Sequence, residues 1–180
     1  MRVFLAWRGL DEWRAEACTV DRGDHGLRAT GVQIAAAYRL EYRLETDPEL
    51  LTRSLTMTVE TEAGRRGALL ERYGAAAWTL DGKPLDHVEG ALDCDIAFSP
   101  LTNHMPAARL GSEPADHVMA WVDVPSLDVL RSEQRYEPVD GPRVRFVGLE
   151  DGFTADLDLD EHGFVVRYPG LAERVSSASA

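Results

Sequence analysis

Period-two alternation is the pattern that most constrains what this chain can fold into. Val32, Ile34, Ala36, Tyr38, Leu40, Tyr42 and Leu44 share one parity, with Gln33, Arg39, Glu41, Arg43 and Glu45 on the other. Successive side chains of a β-strand point to opposite faces, so the run reads as one long strand over 32–44, dry on one face and wet on the other. Asp47-Pro48-Glu49 turns the chain, and Leu55, Met57 and Val59 alternate against Ser54, Thr56, Thr58 and Glu60. Gly67 to Tyr73 returns after Ala63-Gly64-Arg65, and Trp78-Thr79-Leu80 runs into Asp81-Gly82, a strong hairpin signal.

Further strands are expected over 118–124, 143–149, 153–159 and 164–168, with turns at Asp160–Gly163 and Pro169-Gly170. Helical periodicity is weak, and short helices are expected only over Pro125–Glu133 and Leu171–Val175. No internal repeat or Gly/Ser linker divides the chain. The expectation is one mainly all-β domain over 1–175 built of antiparallel hairpins, with a flexible tail over 176–180.

Composition narrows the partners. The net charge is −12, from 31 acidic against 19 basic residues, and the longest basic cluster is Arg65-Arg66. Nucleic-acid binding needs cations to displace phosphate counterions, so it is disfavoured, as is docking of a basic patch on an anionic membrane. No apolar run reaches the length of a membrane span, and Val3–Trp7 is too short for a signal-peptide core. Cys18 and Cys94 form no C-x-x-C pair and no disulfide framework. A cytoplasmic chain with reduced thiols is expected. Lys83, the sole lysine among many arginines, fits a GC-rich bacterial genome.

Catalytic and metal motifs are absent. There is no G-x-S-x-G, no phosphate-cradling glycine loop and no His-x-x-x-His. Asp156-x-Asp158-x-Asp160 resembles a calcium loop, but Glu161 and Arg167 stand where the loop needs Gly and Glu. No cofactor and no metal are expected. Cys94, with His87, His104 or His117 as a base, and the carboxylate pair Asp93/Asp95 are the remaining chemical candidates. The pair would lie about 6–7 Å apart on one strand face.

The least generic stretch is Asp93-Cys94-Asp95-Ile96-Ala97-Phe98-Ser99-Pro100-Leu101-Thr102-Asn103-His104-Met105-Pro106-Ala107-Ala108-Arg109-Leu110. It resembles the hallmark of the putative glycolipid-binding family of bacterial proteins: an acidic alternating strand, a Pro-aromatic-Thr-Asn turn, then Pro and arginines ending in Leu. Tyr42 to Arg53, Gln134-Arg135-Tyr136 and Asp158 through Tyr168-Pro169-Gly170-Leu171 to Arg174 resemble family segments in the same order. Leu101 stands in place of an aromatic, Ala108 in place of a second arginine and His104 in place of a small polar residue. The resemblance implies a spiral β-roll, a single curled antiparallel sheet, and an amphiphilic small molecule or glycolipid as partner.

On that fold Tyr38, Tyr42, Trp78 and Trp121, with Leu40, would line an apolar concavity for a tail, with core packing as the competing account. Arg53, Arg109 and Asn103 would sit near the head group, with Gln134 and Tyr136 as further candidates; surface ion pairing and turn formation compete for these. Two other functions remain open. One is a hydrolase using Asp93/Asp95 and a nearby histidine, and the other is a protein-interaction domain built on an open sheet edge or apolar patch.

Overall fold

The computed structural model describes residues 1–179, with side chains through Val175. Fifteen strands form one sheet: β1 Arg2–Gly9, β2 Arg14–Gly23, β3 Gly26–Ala35, β4 Arg39–Thr46, β5 Thr52–Thr61, β6 Gly64–Tyr73, β7 Ala77–Leu80 and β8 Lys83–Pro84, then β9 Asp93–Ile96, β10 Ala115–Val122, β11 Val129–Val139, β12 Arg143–Gly148, β13 Thr154–Leu159, β14 Val165–Tyr168 and β15 Ala172–Ser179. Their spatial order runs from β8 down to β1, then from β15 down to β9. The chain thus starts mid-sheet, winds out to one edge, crosses to the other and meanders back. β1 pairs with β15 in the middle of the sheet.

The sheet is curled and does not close. Its β9 edge tucks inside against β5: Thr52 N–H donates to Leu92 O at 3.1 Å, and Cys94 N–H to Thr52 Oγ1 at 3.0 Å. All four residues of β9 are therefore buried. The opposite edge is two residues long and carries Pro84, which has no N–H to offer a pairing chain. The curled single sheet is as expected, with one difference. β9 and β10 are parallel, and the 18-residue span between them holds the helix α1, His104–Arg109.

That helix corrects the two expected ones. Over Pro125–Glu133 the chain makes a tight turn with Leu127 at φ 57° and Leu127 N–H bonded to Asp123 O, and β11 begins at Val129. Leu171–Val175 belongs mostly to β15. Of the expected tail, the backbone of 176–179 ends β15, and Ala180 lies outside the described residues.

The long strand over 32–44 is also corrected. It is two strands, with a turn at Ala36-Ala37 closed by Ala35 N–H to Tyr38 O at 3.0 Å. The buried parity flips across that turn. Gln33 points inward in β3 while Ile34 faces out, whereas Tyr38, Leu40, Tyr42 and Leu44 point inward from β4 onward.

Inward side chains make a main core that includes Leu5, Trp7, Leu40, Leu44, Leu55, Met57, Trp78 and Ile96. A second cluster, with Tyr136, Phe146, Leu157 and Tyr168, lies under β11–β14. Burying side chains of this size contributes roughly 1.5–3 kcal/mol each before chain entropy is counted.

Candidate functional site

A cleft of about 340 Å³ opens between the start of the β9–β10 crossover and the concave side of β10–β14. Aromatic rings form its walls: Phe98, Trp121, Phe146, Phe153 and Tyr168. Phe98 and Phe153 stand at the mouth, 39% and 44% exposed. Phe98 sits in a left-handed turn at φ 65°, which aims its ring outward from the buried strand before it.

The floor is polar. Gln134 Nε2 donates to Asp95 Oδ2 at 2.8 Å, and Thr102 Oγ1 donates to Asp95 Oδ1 at 2.6 Å. Asn103 Nδ2 donates to Tyr136 Oη at 2.8 Å, and Tyr136 Oη donates to Gln134 Oε1 at 3.3 Å. This chain of bonds ties β9, β11 and the Thr102-Asn103 turn into one rigid unit. Burial pushes the Asp95 carboxyl above its usual range, and the bonds from Thr102 and Gln134 pull it back. Gly148 pairs opposite Gln134, and a Cβ there would meet Asp151 Oδ1 at 2.6 Å. The missing side chain keeps the cleft open beside the floor.

The structure brings together some of the residues picked from the sequence and separates others. Asn103, Trp121 and Gln134 line the cleft, and Tyr136 lies directly beneath it. Trp78 is a core residue whose indole N–H donates to Ala91 O at 2.8 Å. Tyr38 and Tyr42 are buried too, their hydroxyls donating to Gln33 Oε1 at 2.6 Å and Glu16 Oε1 at 2.5 Å. These three rings fill the roll, which corrects their assignment as walls of a tail cavity.

Arg109 is corrected as well. It forks onto both oxygens of the fully buried Asp93 and donates to Leu50 O at 2.8 Å, so it locks α1 to β9 and to the turn before β5. Arg53 is exposed on β5 and is absent from the cleft lining.

The catalytic constellation is not assembled. No histidine is hydrogen-bonded to Asp93 or Asp95 among the described residues. His104 Nδ1 faces Gly163 O at 2.9 Å, its ring stacks on Phe164 at 4.0 Å, and burial lowers its pKa to about 4. Cys94 is buried beside Thr52, and burial pushes its thiol up to about 12.

Sequence reasoning missed Phe146, Phe153 and Tyr168 as walls, although Tyr168 stood in a quoted motif. It also missed Glu16. That carboxyl accepts from Tyr42 and from Ser99 Oγ at 2.7 Å, leaves Oε2 without a partner, and is pushed up to about 7 by burial.

Comparisons with known proteins agree with this architecture. A family model described as "Putative glycolipid-binding" matches residues 4–174. The crystal structure of a DUF1089 family protein from Pseudomonas aeruginosa is 32% identical, with a TM-score of 0.74, over 96% of this chain and 92% of the other. No curated protein matches.

Proposed function

The chain belongs to the putative glycolipid-binding family, and on that premise we propose that its aromatic cleft is a binding site for the glycan end of an amphiphile. One observation carries the reading: a buried carboxylate–amide pair, Asp95 and Gln134, forms the floor beneath aromatic walls. Sugar rings offer hydroxyls for such a pair and a C–H face for aromatic rings, whereas a purely aliphatic ligand would leave Asp95 desolvated against hydrocarbon.

The cleft is small for a whole acylated glycan. The tail therefore leaves across Phe98 and Phe153 at the mouth and does not enter the roll, whose interior is filled with side chains. The protein acts as a binder or carrier in this reading, without a reaction step. Two buried, unpaired cysteines suit the cytoplasmic setting that goes with it. Among the described residues no helix is long and apolar enough to cross a membrane.

Calorimetric titration with hexyl β-D-glucoside below its micelle concentration tests the proposal. Saturable one-to-one binding that weakens at least tenfold in Trp121→Ala supports it. Binding unaffected by Trp121→Ala, or none at all, contradicts it.

A further inference from the structure

We infer that the cleft selects an uncharged or amine-bearing sugar ring and rejects phosphate and carboxylate head groups. This rests on the proposed reading of the cleft as the glycan site. The argument is one of hydrogen-bond and charge complementarity. Asp95, Glu150 and Asp151 all line the cleft, and its lining includes no lysine or arginine.

The nearby cations are engaged elsewhere. Arg109 is spent on Asp93 and Leu50 O. Arg174 Nη1 is bonded to Asp160 Oδ2 at 2.6 Å. Arg14 lies against the ring of Phe98, 4.0 Å from its centroid, and pairs with Asp11 at 3.3 Å. None is left to meet an anion in the cleft.

The unfilled hydrogen-bond capacity points the same way. Carboxylate oxygens are acceptors, so a ligand against Glu150 and Asp151 must bring donors. Sugar hydroxyls and ammonium groups do so, and a phosphate dianion or carboxylate does not. Two protein donors also face the cleft. Tyr168 and Trp121 both line it, so the Tyr168 hydroxyl and the Trp121 indole N–H can donate to a ligand there. Tyr168 lines the cleft together with both Asp95 and Asp151. Ring hydroxyls, which donate and accept at once, answer both sets.

The test compares three hexyl glycosides with one tail: the β-D-glucoside, the 2-amino-2-deoxy-β-D-glucoside and the β-D-glucuronide. Calorimetry on the intact chain should give binding of the first two, with the glucuronide at least tenfold weaker. Asp151→Asn should narrow that gap. A glucuronide that binds as tightly as the glucoside overturns this inference and leaves the proposed function standing. Failure of all three to bind overturns both.

Discussion

Gln134 on β11 donates to Asp95 on β9 across 2.8 Å, although β10 lies between the two strands in the sheet. The bond spans the concave side of the curl, so it forms only when the edge strand β9 is tucked into the roll. Gln134→Leu would leave Asp95 with Thr102 as its one side-chain partner. Urea denaturation should show a loss of about 1–3 kcal/mol, the cost of an unsatisfied buried group. Glycoside binding should fall with it, while Thr102→Val in the same background should cost less than it does alone.

Gly31 is needed because Tyr42 leans across it to reach Glu16. A Cβ at position 31 would stand 2.4 Å from Tyr42 Cζ and 2.8 Å from Cys18 Cβ. Gly31→Ala should destabilise the fold by about 1–3 kcal/mol through overpacking. Adding Tyr42→Leu should relieve the clash, so the double variant should be more stable than the sum of the single losses, as chemical denaturation would register.

Arg109 is engaged with the Asp93 carboxylate and Leu50 O. Asp93 is fully buried, and Arg109→Ala would strand its charge, at a cost of about 3–5 kcal/mol. Asp93→Asn added to Arg109→Ala should recover part of that loss in urea melts. An Arg109→Ala variant of unchanged stability but weakened binding would return Arg109 to the site.

Glu16 and His104 give opposing slopes of stability against pH. The Glu16 carboxyl is raised from 4.5 to about 7, so its contribution is complete below 4.5 and is lost as pH rises through 7. The His104 imidazole is lowered from 6.5 to about 4, so its contribution is present above 6.5 and is lost as pH falls through 4. Each slope approaches about 1.4 kcal/mol per pH unit, and between pH 4.5 and 6.5 the two oppose each other. Glu16→Gln should make stability climb with pH across that window, and His104→Asn should make it fall. Thermal melts at half-unit intervals would separate them.

The strands β5 and β13 were legible because one face of each is polar. β5 alternates Leu55, Met57, Val59 with Ser54, Thr56, Thr58, and that stretch lies inside the observed Thr52–Thr61. β1 escaped because Phe4, 43% exposed, stands between the buried Val3 and Leu5, so alternation is hidden in a continuous apolar run. The Ala36-Ala37 turn escaped because it carries none of Gly, Asn, Asp or Pro, and the parity flip on either side of it mimics one long strand.

In the site, Asn103 and Gln134 could be singled out by motif alone. The roles of Arg109 and Tyr42 could not, because their partners lie 16 and 26 residues away in the chain. An arginine with a buried aspartate at its tip and one facing a ligand look alike until the sheet curls.

Each of the four tryptophans reports on a different part of the molecule, which makes the central claim directly testable. Trp7 and Trp78 donate their indole N–H groups to Val165 O and Ala91 O inside the core, Trp13 is exposed, and Trp121 lines the cleft. Nitrogen-15 labelled indole resonances can be followed during titration with hexyl β-D-glucoside. The account predicts a saturable shift of Trp121 while Trp7 and Trp78 stay in place. A Trp121 resonance that remains fixed at saturating glycoside, or a shift centred on Trp78, would contradict it.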